Sequence, residues 1–171
     1  MREVNWLAGW LVRWFAAVGR RRSGQRRREP WMPTLRTFEQ IEAWQSARDL
    51  ARAVYSCSKQ GPLARDFGLR DQLRRASISI MSNIAEGFER GRMKEFVHFL
   101  TLAKGSAGEL ESHLYVALDQ GYLSKEDFEG LRHQSASTRR LIAGFIRYLM
   151  KAEAKAGPSP NGGKAAMRQA A

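Results

Sequence analysis

The segment from Asp66 to Arg92, DFGLRDQLRRASISIMSNIAEGFERGR, constrains this chain more than any other. Stepped at about 100° per residue, the angular form of 3.6 residues per turn, Leu69, Leu73, Ala76, Ile80 and Gly87 share one narrow stripe. Asn83 falls inside that stripe, with Gln72, Ser79 and Glu86 along its edge. Buried polar groups cost free energy unless they are hydrogen-bonded. The helix is therefore expected to carry a specific polar network against a partner helix. Such a pattern defines an architecture more closely than a chemistry.

Three more helical patterns surround it. The first runs from about Thr37 to Ser58, with Ile41, Trp44, Ala47, Ala51, Val54 and Tyr55 on one face, and Gly61-Pro62 breaks it. The 66–92 segment is the second. The third runs from about Lys94 to Gln120 on a stripe from Phe96 through Leu100, Ala103, Ala107, Leu110 and Leu114 to Leu118, and Gly121 ends it. The fourth opens at Ser124-x-x-Asp127, a weak capping box, and continues to about Lys151 on Leu131, Thr138, Leu141, Ile142, Phe145 and Leu149. No strand alternation is present. Four helices joined by short loops predict an all-α fold, an antiparallel up-and-down four-helix bundle over residues 37–151.

The ends of the chain differ from this body. Residues 1–31 carry eight Arg and two Glu, whereas 32–150 carry 17 basic and 14 acidic residues. Half of the net charge of +12 thus sits in residues 1–31, within an arm, residues 1–36, in which Trp6, Trp10 and Trp14 share a helical face ahead of Arg20, Arg21, Arg22, Arg26, Arg27 and Arg28. The apolar run 4–18 is shorter than the roughly 20 residues that span a bilayer, so stable membrane insertion is not expected. An interfacial helix, an RNA-binding arm, and a chain that starts at Met32 instead all remain open. Residues 152–171, rich in Gly and Pro, are expected to be disordered. The single cysteine, Cys57, allows no disulfide framework within one chain and suits a reducing, cytoplasmic setting.

Two helices have second faces. Ile78, Met81, Ala85 and Phe88 lie opposite the stripe of the second helix, and Thr101, Gly105, Gly108 and Ser112 opposite that of the third. Mid-helix glycine costs about 1 kcal/mol relative to Ala, so close packing is expected there, and self-association through these two helices with it.

Two separated motifs also carry a resemblance to a known family. The first comprises Phe67-Gly68-Leu69, Gln72-Leu73-Arg74-Arg75-Ala76, Ser79-Ile80, Asn83-Ile84-Ala85-Glu86-Gly87 and Arg90. The second comprises Phe96, Phe99-Leu100, Ala103, Gly105-Ser106 and Glu109-Leu110, and Phe38, Trp44 and Ala47 fit the opening of the first helix. Over about 37–150 these residues resemble the 23S ribosomal RNA intervening-sequence proteins. The resemblance implies a four-helix bundle assembled into a homo-oligomeric ring, commonly a pentamer. It also implies kinship with the nucleic-acid-binding accessory protein of diversity-generating retroelements, which partners a reverse transcriptase. The sequence departs from the family at Met81, where proline is usual, and across Gly61 to Asp66.

Candidate chemistry is sparse. Ser79, Asn83, Glu86, Ser106 and Glu109 form a polar set that reads as a structural network fixing helix register, because no His or Cys joins it and no nucleophile has an evident base. His98, His113 and His133 are isolated, and H-E-x-x-H, G-x-S-x-G and P-loop motifs are absent. No catalytic residue, metal or cofactor is expected. The remaining candidates are basic. Arg70 and Arg74 lie one turn apart on the outer side of the second helix, Arg75 points elsewhere, and Arg90, Arg92 and Lys94 cluster at the following turn. Arg132, Arg139, Arg140 and Arg147 line the fourth helix. The expectation is a non-enzymatic, oligomeric, nucleic-acid-binding protein that contacts RNA more readily than DNA through repeated phosphate contacts. The rival is a protein-interaction scaffold, such as a reverse-transcriptase accessory subunit.

Overall fold

A computed structural model describes residues 35–156, and the chain divides near Arg36 into two units of which the second, from Thr37, carries the fold. The arm with Trp6, Trp10 and Trp14 and the tail beyond Ala156 lie outside the described residues. Those described hold four α-helices and two short 3-10 turns, with no strand among them. The helices are α1 (Glu42–Cys57), α2 (Phe67–Glu89), α3 (Met93–Asp119) and α4 (Lys125–Ala156). Each packs against two others: α1 on α2 and α4, α3 on α2 and α4. One core lies between them, built on Leu50, Val54, Leu73, Ile80, Ile84, Phe96, Leu100, Leu110, Leu114, Ile142 and Leu149.

The first helix is not continuous from Thr37. A 3-10 turn over Phe38–Gln40 ends at Ile41, whose extended backbone (ψ 116°) interrupts the coil before α1 begins. The break turns Ile41 into the core, 3% exposed, and brings the Phe38 ring edge-on to Trp44 at 5.1 Å. The 3-10 turn also lies on α2.

Each later helix starts or stops where its local chemistry requires. Asp66 caps α2, its Oδ1 accepting the Leu69 N–H at 2.9 Å. Ser124 precedes α4 and accepts the Asp127 N–H at 3.0 Å while donating to Oδ2 of Asp127 at 2.6 Å. Helix α3 ends in a Schellman arrangement, in which Gly121 adopts φ +69° and the Tyr122 N–H reaches back to the Ala117 carbonyl at 2.8 Å. Helix α4 continues past Lys151 to Ala156, because Ala152 to Ala156 alternates alanine with Glu and Lys, all good helix formers. The helix-breaking pair Gly157-Pro158 comes next in sequence.

Helix α2 presents a rotated stripe. Its buried residues are Leu73, Ala76, Ser77, Ile80, Ile84 and Gly87, while Asn83 and Leu69 are half-buried and Gln72 and Glu86 exposed. The cause is that α2 sits between α1 and α3, so the inward direction swings toward Ser77 and Ile84. Ser77 tolerates burial by donating to the Arg74 carbonyl at 2.8 Å. Gly87 sits at the tightest approach: a Cβ there would lie 2.6 Å from Cβ of Phe99 and 2.8 Å from Cδ2 of Phe96.

Candidate nucleic-acid interface

The six cations singled out on α2 and the following turn divide into three circumstances. Arg70 and Arg74 are half-buried and engaged within the fold. Arg74 crosses to the end of α1, where its Nε donates to Oγ of Ser58 at 2.8 Å and its Nη2 to the Ser58 carbonyl at 3.1 Å, with its guanidinium 4.9 Å above the Tyr55 ring. It thereby satisfies the end of α1, which has no glycine cap of its own. Arg70 donates to the Ala64 carbonyl at 3.2 Å and to Asp71 at 3.0 Å, and stacks over Phe67 at 4.7 Å. Both are structural in placement. Sequence spacing alone did not signal this, because the acceptors come from the segment that follows α1.

Arg90, Arg92 and Lys94 lie at the α2–α3 turn, each facing an acid. Arg90 meets Glu86 at 2.6 Å, Arg92 meets Glu95 at 3.2 Å, and Lys94 lies 3.9 Å from Glu153. Hydrogen bonding to Glu86, then its charge, raises the Arg90 pKa above its ordinary value. All three cations are exposed, and exposed pairs of this kind contribute about 0.2–1 kcal/mol, so a phosphate can compete for the cation. Arg75 is exposed, and no hydrogen bond or ion pair holds it among the described residues.

The polar set is smaller than its sequence suggested. Oγ of Ser79 and Oγ of Ser106 lie 2.9 Å apart across α2 and α3, and Nδ2 of Asn83 donates to the Ser79 carbonyl at 2.8 Å and to its Oγ at 3.1 Å. Ser106 also donates back to the Leu102 carbonyl at 3.2 Å. Glu86 stands apart on Arg90, and Glu109 stands 3.6 Å from Nε2 of His113. The two carboxylates therefore do not converge with Ser79, Asn83 and Ser106, since each sits on the exposed side of its helix.

Burial, aided by the charge of Asp127, pushes the Cys57 thiol up from its ordinary pKa, and its Sγ donates to the Val54 carbonyl at 3.2 Å. It behaves as a boundary residue of α1. No group of three His, Cys, Asp or Glu could hold a metal ion among the described residues, and no helix among them is long and apolar enough to cross a membrane.

The second faces resolve unequally. On α2 only Ile78 is open, at 41% exposure, whereas Met81, Ala85 and Phe88 are half-buried, the Phe88 ring lying edge-on to Phe96 of α3 at 6.2 Å. Met81 lies within unbroken helix. On α3, Thr101, Gly105 and Ser112 are exposed, and a Cβ added at Gly105 or Gly108 would meet nothing within 4 Å. Among the described residues, no side chain lies against a Cβ placed at either glycine.

Comparison with known proteins agrees with the fold. No curated protein matches the chain. A solved structure of a protein of unknown function from the S23 ribosomal protein family of Bacteroides thetaiotaomicron is 23% identical, with a TM-score of 0.57 over 61% of this chain and 95% of that one. That likeness concerns the fold. The model of the family described as 23S rRNA-intervening sequence protein matches residues 39–144, more than half of the sequence and all four helices in whole or part. On that match the chain belongs to the 23S rRNA-intervening sequence protein family.

Proposed function

We propose that this protein is a non-enzymatic, oligomeric helical bundle that binds RNA through its phosphates, in the cytoplasm. The observation that carries this reading is the state of its cations. Arg75 has no partner among the described residues, and the ion pairs of Arg90, Arg92 and Lys94 are exposed ones that a phosphate can replace, with Arg90 also 5.4 Å over the Phe99 ring. The family's description, which names ribosomal RNA, supports the choice of ligand. A structural role for Ser79, Asn83 and Ser106, whose hydroxyls and amide serve one another, supports a non-enzymatic reading.

An antiparallel, up-and-down order of the helices is supported by how the contacts run. Gly87 abuts Phe99 while Ser79 meets Ser106, so numbers rise on α2 as they fall on α3. Phe96 with Phe145, and Tyr115 with Phe128, do the same between α3 and α4. Assembly into a homo-oligomeric ring, a pentamer by family resemblance, is supported by the open glycines of α3 beside exposed Leu102 and Val116. Replacing Gly105 and Gly108 by Leu is expected to shift the full chain to monomer in sedimentation velocity without loss of helicity. Wild type sedimenting as a monomer at micromolar concentration would discard the ring.

RNA binding is tested by fluorescence anisotropy of a labelled duplex RNA across a salt series, on the full chain. The same titration follows on a variant with Arg20, Arg21, Arg22, Arg26, Arg27 and Arg28 all changed to Gln. Binding that survives neutralisation of the arm, with log affinity falling steeply against log salt, is the expected result. Its disappearance in that variant transfers the function to the arm. A chain that binds no RNA at low salt leaves the protein-scaffold reading, to which exposed Ile78, Leu102 and Val116 would then belong.

A further inference from the structure

The positive charge of the folded body is concentrated on one helix. The described residues hold 19 Lys or Arg and 15 Asp or Glu. Between Gly130 and Ala152 on α4 lie Arg132, Arg139, Arg140, Arg147 and Lys151, with no Asp or Glu at all. Outside that stretch 14 cations face 15 anions, so the rest of the body carries no excess. Two of the five are engaged, Arg132 with Glu129 at 2.8 Å and Arg139 with Glu111 at 3.1 Å. The other three are exposed and stand at i, i+7 and i+11, on one outward face of the helix. Arg140 donates to Oγ of Ser137 at 2.7 Å, a neutral partner that leaves its charge uncompensated. Arg147 and Lys151 have no ion pair among the described residues.

We infer that the outer face of α4, through Arg140, Arg147 and Lys151, is the principal phosphate-tracking surface of this protein, taking the backbone of double-helical RNA. The inference rests on the RNA reading above and deepens it by naming the surface. At 1.5 Å of rise per residue the three cations span about 16 Å, room for several consecutive phosphates of one strand. Gly144 lies between Arg140 and Arg147 on the same face and has no side chain, and the group nearest the place of its Cβ is Nη2 of Arg147, at 3.9 Å, so the surface of that turn is itself cationic. Helix α4 packs on α1 and α3, and α2 has its main contacts with the same two helices, so the outer face of α4 is turned away from α2. Self-association through α2 and the glycine face of α3 therefore leaves the stripe open in every subunit. Exposed aromatic rings do not accompany the three cations, so contact through phosphates rather than stacked bases is the expected mode.

The test compares two full-length variants with wild type in the anisotropy salt series on labelled duplex RNA. One carries Arg140→Gln, Arg147→Gln and Lys151→Gln; the other carries Arg75→Gln, Arg90→Gln and Arg92→Gln. The α4 variant is expected to flatten the slope of log affinity against log salt by about 2–3, at close to 0.9 per contact, and the second variant by less. Single Arg147→Gln, which leaves the other cations in place, is expected to flatten it by about 0.9. Wild type that binds while the α4 variants keep its slope overturns the surface assignment and leaves the RNA reading standing. Wild type that binds no RNA, or binds polyglutamate as strongly as RNA, overturns both.

Discussion

The junction of α1 with α2 and the outer face of α4 use the same side chain to opposite effect. At the junction, Arg74 is drawn across the chain onto Oγ and the carbonyl of Ser58 and over Tyr55, so two of its donors and the face of its guanidinium serve the fold. On α4, Arg147 and Lys151 face solvent with no acid opposite. What separates them is the presence of unsatisfied helix-end carbonyls within reach. A guanidinium beside a helix C-terminus finds acceptors and a favourable dipole. One on the middle of a helix finds neither, and keeps its charge for something outside the molecule. Sequence composition counts both as basic, and only the surroundings distinguish them.

The sharpest way to break this contrast is Arg74→Ala. It removes two charge-assisted hydrogen bonds and a ring contact and leaves the Ser58 carbonyl without its donor, so a loss of about 2 kcal/mol in a denaturant melt is expected. The folded fraction should bind RNA unchanged. Arg70→Ala comes next. Asp71 is exposed and returns to water, and only the Ala64 carbonyl is deprived, so about 1 kcal/mol is expected by the same melt. A double-mutant cycle on Glu86 and Arg90, read by thermal melts at low and high salt, should yield about 0.3–0.5 kcal/mol, mostly lost at high salt. Arg147→Ala should be smallest for stability, within about 0.5 kcal/mol of wild type, while costing RNA affinity. If Arg74→Ala melted like wild type, or Arg147→Ala were the more destabilising of the two, the division into fold-serving and ligand-serving arginines would fail.

Much of the architecture was legible because it is local. The stripe of α3, the stop at Gly121 and the capping serine at 124 each depend on residues within a turn or two. Gly87 was readable as inward-facing. What escaped depended on distant partners. Ser77 is buried because α2 has neighbours on both sides, a direction that no single-helix projection contains. The placement of Arg74 depends on Ser58, sixteen residues earlier and across a chain reversal. Glu86 and Glu109 were grouped with Ser79, Asn83 and Ser106 by spacing, yet a few tens of degrees of rotation place them on the surface with Arg90 and His113. The break at Ile41 was missed because its apolar pattern is the same in a 3-10 turn and an α-helix. The candidate site therefore changed more than the fold did.

The close seating of Gly87 against Phe99 has a consequence for how the chain reaches its final form. Only Arg90, Gly91 and Arg92 separate α2 from α3, so bringing these two helices together closes the shortest loop between α-helices among the described residues. The contact between Ser46 and Thr138 bridges 92 residues and must wait for everything between. The α2–α3 hairpin is thus the expected nucleus of folding, and the α1–α4 seam the last to close. Gly87→Ala should chiefly slow refolding, whereas Thr138→Val should chiefly hasten unfolding, in stopped-flow traces. Loop length, on this account, sets the order in which the bundle assembles, and the missing side chain of Gly87 lets the first pair of helices seat closely.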